Sequence, residues 1–315
     1  MSDPRFREPM LATLADAPPR TGEWVYERKL DGIRLVVVRD GDRVHLYTRN
    51  RTDHSRRYPE LVDALLDQPS DRFVADGEVV AFDGNTTSFS RLQQRSGIAD
   101  PAAARRSGVA VHLYLFDLLH LGDVDTDRVP LRKRKTMLRD TVVFDDPVRY
   151  CAHRNEEYLD EACSKGWEGL IAKRADGPYR GGRSRDWLKL KCVARQELVI
   201  GGWTEPQGSR HGLGALLVGH HRDGSLVYAG RVGTGFDDAA LDHLSTLLDG
   251  IPRDDPPFAD PPEGPGLHWV EPQLVCEVGF TEWTTAGRLR HPRFLGLRDD
   301  KDPAEVVRET PRSAP

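Results

Sequence analysis

Hydrophobic residues recur with two different periods up to about residue 195. Alternating or continuous apolar runs, typical of strands, occupy residues 23–27, 33–38, 43–48, 73–82, 109–119, 169–174 and 187–192. Helical spacing occupies residues 58–66, 131–139 and 156–165. This mixture predicts an α+β domain over residues 1–195.

The pattern changes after residue 195 to short apolar runs separated by glycine-rich turns. The runs cover residues 197–203, 215–221, 226–232 and 274–280, with one helical stretch over 237–248. A proline-rich and acidic stretch over 252–266 predicts an exposed loop, and residues 310–315 predict a frayed tail. We therefore expect a small β-barrel such as an OB-fold over residues 196–315.

Composition is that of an ordinary soluble globular protein. The chain has 315 residues, 38% hydrophobic and 30% charged, and such a length favours two domains. No apolar run is long enough to cross a bilayer, and residues 1–5 lack the apolar core of a signal peptide, so a cytoplasmic location and no membrane partner are expected. The four cysteines are widely spaced, which predicts reduced, buried thiols and neither a zinc site nor a disulfide framework.

The net charge of −5 argues against a protein that coats nucleic acid by bulk charge. Residues 178–195 differ from the rest, with six cations against one acid. Such a cluster could hold phosphates, although a solvated basic face has the same composition.

A turn between the first two predicted strands carries an amine beside an acid and a guanidinium. Its sequence is Lys29-Leu30-Asp31-Gly32-Ile33-Arg34. On such a connection a side chain can face a cleft, which makes Lys29 a candidate nucleophile.

Five further motifs follow in order, each with a group that the attack of an amine on a nucleotide phosphate would need. Glu168 is a carboxylate suited to a hard divalent cation, and the alternation in the fifth motif predicts two lysines on one face of a strand. The motifs are Asp76-Gly77-Glu78, Tyr114-Leu115-Phe116-Asp117, Glu168-Gly169-Leu170-Ile171-Ala172-Lys173, Trp187-Leu188-Lys189-Leu190-Lys191 and Arg298-Asp299-Asp300-Lys301.

This ordered set resembles the nucleotidyl transferase motifs of ATP-dependent DNA ligases and mRNA capping enzymes, over nearly the whole chain. Glu168 and the Lys-Leu-Lys of the fifth motif resemble ligases rather than capping enzymes. The stretch from Phe280 to Arg298 is similar to the ligase module of bacterial end-joining ligases, and we expect no fused polymerase or nuclease domain. The resemblance implies an adenylation domain followed by an OB-fold, and an enzyme that uses ATP with Mg²⁺ or Mn²⁺ to seal nicked or broken duplex DNA in repair.

The resemblance also implies a role for each motif residue. Lys29 would carry AMP, and Glu168 and Glu78 would hold the metal. The nucleotide would be bound by Glu27 at the adenine amino group, Arg34 and Arg49 at ribose or phosphate, Glu78 at the ribose hydroxyls, Phe116 by stacking, Arg183, Lys189 and Lys191 at the α-phosphate, and Arg298, Asp300 and Lys301 at the pyrophosphate.

Two other classes remain open from sequence. An RNA ligase or a guanylyltransferase would share Lys29, Glu78 and Lys189, and a non-catalytic nucleic-acid-binding protein would use the barrel alone. We expect a monomer. The acidic total charge predicts weak, salt-sensitive DNA binding that a DNA-end-binding partner helps.

Overall fold

A computed structural model describes residues 4–192, 194–206 and 212–309. The described chain divides into two compact units, residues 4–192 (the first unit) and 194–309 (the second unit). Residues 194 and 195, which the sequence assigned to the first domain, belong here to the opening strand of the second unit. The tail predicted over residues 310–315 lies outside the described residues.

The first unit mixes strands and short helices, as the sequence predicted. Its strands are β1 (Met10–Leu14), β2 (Trp24–Arg28), β3 (Ile33–Asp40), β4 (Arg43–Thr48), β5 (Arg72–Asp83), β6 (Thr86–Thr87), β7 (Val111–Leu121), β8 (Val124–Asp125), β9 (Val148–Tyr150), β10 (His153–Arg154), β11 (Gly169–Arg174) and β12 (Gly182–Lys191). Its helices are α1 (Pro59–Leu66), α2 (Phe89–Ser96), α3 (Pro101–Arg106), α4 (Leu131–Thr141) and α5 (Leu159–Ser164).

Two sheets form the body of the first unit. A seven-stranded sheet has the order β4-β3-β5-β7-β8, with β6 beside β5 and β9 beside β7. A five-stranded sheet has the order β1-β12-β11-β2-β10. In β3, Leu35 and Val37 join the core that includes α1, α2 and α4, whereas Val36 and Val38 join a second core with Trp187 of the other sheet. Both faces of β3 are therefore buried, which explains its nearly continuous apolar sequence.

The second unit is a β-structure with one helix. Its elements are β13 (Ala194–Thr204), β14 (Ala215–Arg222), β15 (Ser225–Val232), α6 (Asp238–Asp249), β16 (Pro252–Arg253), β17 (Leu267–Phe280), β18 (Glu282–Trp283), β19 (Leu289–Arg290) and β20 (Arg293–Leu297). A six-stranded sheet has the order β15-β14-β13-β17-β16, with β20 beside β17. Leu241, Leu244 and Leu248 of α6 pack into its core. Asp237 caps this helix, because its side chain accepts a hydrogen bond from the Ala240 backbone N–H.

The elements missing from the sequence prediction are short or weakly patterned. They include β1, α2 and α3, none longer than eight residues. The strand predicted over 274–280 begins seven residues earlier, at Leu267, because the preceding segment pairs with β13 and β16. Within the described residues, no helix combines the length and hydrophobicity that crossing a membrane requires.

The prediction of four reduced cysteines is wrong for two of them. Cys163 and Cys192 form a disulfide, with their Cα atoms 5.3 Å apart. They are 29 residues apart in sequence, but α5 precedes β11 and Cys192 follows β12, the antiparallel neighbour of β11. Their proximity therefore depends on strand pairing, which cysteine spacing does not reveal. Cys151 and Cys276 are free and buried, as predicted.

Candidate active site

Lys29 immediately follows β2 and is held against the start of β11. Its backbone N–H donates to the carbonyl oxygen of Gly169 at 2.9 Å. Its Nζ donates to Oε2 of Glu168 at 2.5 Å, with side-chain exposures of 20% for the lysine and 3% for the glutamate. The first and fourth motifs, 139 residues apart, thus meet at one ion pair.

Two glycines allow this meeting because a side chain at either position would collide with a neighbouring strand. A Cβ atom on Gly32 would lie 2.1 Å from the carbonyl oxygen of Val79. Gly169 has φ +149°, and a Cβ there would lie 1.9 Å from the carbonyl oxygen of Leu190. Only glycine fits such close backbone approaches, so both motifs need it for packing.

The fifth motif separates charge from core as its alternation predicted. Leu188 and Leu190 are 2% and 1% exposed and join the apolar core on one face of the five-stranded sheet. Lys189 and Lys191 lie on the opposite face and are half-buried. Lys191 pairs directly with Gly169 across β11 and β12, next to Glu168 in the chain. The strand pairing therefore brings a second cation to the end of the sheet where Lys29 lies.

Glu27 is a fully buried carboxylate between two buried lysines. Its Oε1 accepts a hydrogen bond from Lys135 Nζ at 2.5 Å, and its Oε2 lies 2.6 Å from Lys173 Nζ. Burial by itself would raise the pKa of Glu27, but the two ammonium groups outweigh it and hold the pKa below its ordinary value. Burial opposes charge on Lys135 as well, yet Glu27 raises its pKa, whereas the pKa of Lys173 is lowered by burial. Glu27 is thus ionised.

Arg34 is held by the first residue of the second motif. Its Nε and Nη2 donate to the two oxygens of Asp76, both at 2.5 Å, and Tyr179 donates its hydroxyl hydrogen to the same carboxylate at 2.5 Å. Asp76 is completely buried, so this bidentate pair compensates its charge. Sequence reasoning gave Asp76 no role, although it is the residue that fixes Arg34.

Phe116 is 7% exposed, and two cations contact its ring. Arg34 Cζ is 4.7 Å and Lys173 Nζ 4.0 Å from its ring centre, while Trp187 meets it edge-on at 6.1 Å. An electron-rich ring face suits both a cation and a stacked base. Its role against adenine stays a prediction.

Three further residues of the predicted site are spread over the first unit. Glu78 pairs with Arg34 across β5 and β3 and is half-buried. Arg49 lies half-buried in the turn after β4. Arg183 is exposed near the start of β12 and donates to the carbonyl oxygen of Ala12 at 3.0 Å, six positions before the first lysine of the fifth motif. The assigned roles of these three stay predictions.

The sixth motif forms a charge cluster within the second unit. Arg298 binds Asp300 through two hydrogen bonds of 2.8 and 2.9 Å and reaches Glu277 at 3.2 Å. Lys301 Nζ lies 3.3 Å from Glu197. Burial opposes ionisation of Asp300, but Arg298 lowers its pKa below the ordinary value. Asp300 is therefore ionised, and all of its partners named here lie in the second unit.

The donor set of the first unit fits a metal that takes few protein ligands. Among the described residues, no group of three or more histidine, cysteine, aspartate or glutamate side chains gathers as an ion site. Mg²⁺ keeps several waters and binds one or two carboxylates together with substrate phosphates. Glu168, 3% exposed at its side chain and beside Lys29, fits that mode of binding.

No role was assigned to Lys173 or Lys135 from the sequence. A different sequence pattern could have placed each of them in the buried site. Lys173 ends the fourth motif and shares a strand face with Gly169 and Ile171, so the period of two could have placed it. In α4, Leu131, Arg134, Lys135 and Leu138 occupy one helical stripe and are all buried. Cations on an inward stripe indicate buried carboxylate partners. The partner of Lys135 is 108 residues away and could not be found locally.

Family comparisons agree with this geometry. A family model described as "ATP dependent DNA ligase domain" matches residues 9–191, and one described as "ATP dependent DNA ligase C terminal region" matches residues 209–301. These matches confirm the resemblance and the two-domain fold, with an OB-fold domain following the nucleotidyl transferase domain.

Similar proteins extend over the same residues. The multifunctional non-homologous end joining protein LigD of Pseudomonas aeruginosa is 39% identical over 99% of this chain, which covers 38% of that protein. DNA ligase C1 of Mycolicibacterium smegmatis is 34% identical, with 95% of this chain and 92% of that one covered. A solved structure, mycobacterial DNA ligase D complexed with ATP and MES, is 35% identical with a TM-score of 0.68, covering 96% of this chain and 98% of that one.

This chain spans about two fifths of the length of the LigD proteins it matches. The ligase domain match alone nevertheless covers more than half of the chain. Together with the contact between Lys29 and Glu168 at the start of β11, it makes this protein a member of the ATP-dependent DNA ligase family.

Proposed function

We propose that this protein joins a DNA 3′-hydroxyl to a 5′-phosphate with ATP, through AMP carried on Lys29. The observation that carries the proposal is the contact between Lys29 Nζ and Glu168 Oε2 at 2.5 Å, at the end of the sheet face that bears Lys189 and Lys191. An amine, a carboxylate and a lysine pair at one site are the groups that nucleotidyl transfer to a lysine requires.

The chemistry takes three phosphoryl transfers. First, Lys29 Nζ attacks the α-phosphorus of ATP, a P–N bond forms, the bond to pyrophosphate breaks and the amine loses a proton. Second, an oxygen of the DNA 5′-phosphate attacks the same phosphorus, and the amine leaves with a proton. Third, the DNA 3′-hydroxyl attacks the activated 5′-phosphate, a phosphodiester forms and AMP leaves.

The first transfer needs a neutral amine. A free lysine at pH 7 is neutral in only about 0.04% of molecules, equivalent to roughly 4.6 kcal/mol. Glu168 accepts a hydrogen bond from Lys29 at 2.5 Å, which favours the ammonium form, so the neutral amine requires other positive charge at the site. Lys189 and Lys191 supply positive charge for the α-phosphate, which disfavours a further ammonium nearby.

Mg²⁺ or Mn²⁺ would neutralise charge on the nucleotide phosphates when bound, and Glu168 with Glu78 would hold it. Glu27 and Phe116 would bind adenine, while Arg34, Arg49 and Arg183 would bind ribose or phosphate. In the second unit, Arg298 and Lys301 would act on the pyrophosphate of ATP.

We infer a role in double-strand break repair from the LigD relatives, which are multifunctional end joining proteins. Arg180 and Arg185 are exposed around the start of β12 and can contact DNA phosphates. Because the net charge is −5, we expect salt-sensitive DNA binding that a DNA-end-binding partner strengthens.

Labelled ATP followed by nicked duplex DNA tests the proposal. The protein should first acquire one AMP and then lose it as the nick is sealed, whereas Lys29→Ala should acquire none but still seal a pre-adenylated nick. Nicked RNA and a 5′-diphosphate RNA acceptor distinguish an RNA ligase and a guanylyltransferase. AMP attached to Lys29→Ala would refute the nucleophile, and absence of any adduct on the wild type would refute the function.

A further inference from the structure

Lys135 is a buried cation on a helix that none of the six motifs includes. It is 1% exposed, and its Nζ donates three hydrogen bonds. The acceptors are Glu27 Oε1 at 2.5 Å, the carbonyl oxygen of Cys151 at 3.1 Å and that of Phe116 at 3.4 Å. One ammonium group thus joins β2, β7 and the segment after β9.

Two of these acceptors belong to residues with proposed nucleotide contacts. Glu27 is proposed at the adenine amino group, and Phe116 is proposed to stack on the base. Lys135 bonds the side chain of the first and the backbone of the second, so it fixes their relative position. Its own place is set by α4, where it shares the buried stripe with Leu131 and Leu138.

The two lysines around Glu27 are held differently. Lys173 Nζ lies 2.6 Å from the carboxylate and forms an ion pair with it, but the angles do not meet those of a hydrogen bond. The same atom lies 4.0 Å from the ring centre of Phe116 and 4.1 Å from that of Trp187. Lys135 is held by three oxygen acceptors. Lys135 therefore links the carboxylate to two backbone carbonyls, whereas Lys173 links it to two aromatic rings.

We propose that Lys135 is a positioning residue for base selection: it holds Glu27 as an oriented carboxylate, an acceptor for the amino group of adenine. Guanine presents a carbonyl oxygen at the same ring position, and two acceptors facing each other repel. Without Lys135, a buried Glu27 could turn or take up a proton, and a neutral carboxyl group can donate to that oxygen. Lys135 thereby favours ATP over GTP. This inference rests on the proposed function.

Self-adenylation and self-guanylylation, with labelled ATP and GTP, measure the preference directly. Lys135→Met should raise the KM for ATP about tenfold or more, change the maximal rate little, and reduce the ATP to GTP preference by about tenfold or more. Lys135→Arg, which keeps the charge, should recover part of that preference. Lys133→Met is the matched control, because Lys133 is exposed on the same helix and its replacement removes the same positive charge.

If Lys135→Met folds poorly, two further variants test the proposal: Glu27→Gln alone, and Glu27→Gln combined with Lys135→Met. If Lys135 acts through Glu27, the double variant should show the same ATP to GTP preference as Glu27→Gln alone. A purely structural role would lower the yield of active protein and leave the preference unchanged.

An unchanged preference in Lys135→Met, with a wild type that forms the AMP adduct, would overturn the role of Lys135 alone. A wild type that forms no adduct with either nucleotide would overturn the proposed function and this inference together.

Discussion

Replacing Gly32 by alanine should displace the turn that presents Lys29. A Cβ atom at this position would lie 2.1 Å from the carbonyl oxygen of Val79 and 2.8 Å from Cγ1 of Val80. The first distance is roughly 1.2 Å shorter than a close carbon–oxygen contact. Both neighbours belong to β5, the central strand of the seven-stranded sheet, so the turn rather than the sheet must move.

The expected cost is moderate for the fold and larger for the reaction. Inserting a methyl group into a packed site costs about 1–3 kcal/mol. For a unit of this size, that lowers the melting temperature by roughly 2–12 °C. A displacement of about 1 Å at a reacting group can lower the rate about 100-fold. Lysyl-AMP formation should therefore fall far more than the amount of folded protein.

Single-turnover adduct formation with labelled ATP, alongside thermal unfolding followed by circular dichroism, measures both effects. Gly97→Ala is the matched control, since its φ is −68° and the nearest atom to its new Cβ would be 3.8 Å away. This control should form the adduct at the wild-type rate. A wild-type rate in Gly32→Ala would refute the claim that close packing of this glycine positions Lys29.

Three further outcomes are expected. Glu168→Ala should weaken the dependence of self-adenylation on Mg²⁺ more than it weakens ATP binding, and an unchanged Mg²⁺ titration would remove this residue from the metal site. Burial raises the pKa of Glu27, but its two lysine partners lower it further, to below the ordinary value of 4.5. The ionised form of Glu27 therefore stabilises the fold above about pH 4.5, and this contribution is lost as the pH falls through the folded-state pKa. Glu27→Gln should therefore lose less stability as the pH falls below 4.5 in acid unfolding, and a slope equal to that of the wild type would contradict the assignment. Cys163→Ser should lower the oxidised protein's stability by about 3–4 kcal/mol, because its disulfide with Cys192 spans 29 residues. A dithiol reductant should bring the wild type to the same melting temperature, and a wild type indifferent to reductant would contradict this.

Much of the first unit could be predicted because its signals are local. The helices over 58–66 and 131–139 and the long strands β5 and β7 follow from hydrophobic spacing within about ten residues. The alternation of Leu188 and Leu190 with Lys189 and Lys191 predicted that both lysines share one face of the strand, which the structure confirms. β1 could not be predicted, because five residues pair in parallel with a strand about 170 positions away.

The chain by itself determined the identity and order of the chemical groups: an amine on a glycine turn, a carboxylate at Glu168 just before β11, and two lysines on one face of β12. These depend on residue type and on a period of two or 3.6, which neighbouring residues impose on each other. Tertiary structure decided how the groups are partnered. Lys29 meets Glu168 across 139 positions, Lys135 meets Glu27 across 108, and Arg34 meets Asp76 across 42. A buried charge is stable only beside a countercharge, and the order of strands in the sheets, which no local pattern encodes, determines which countercharge each group finds.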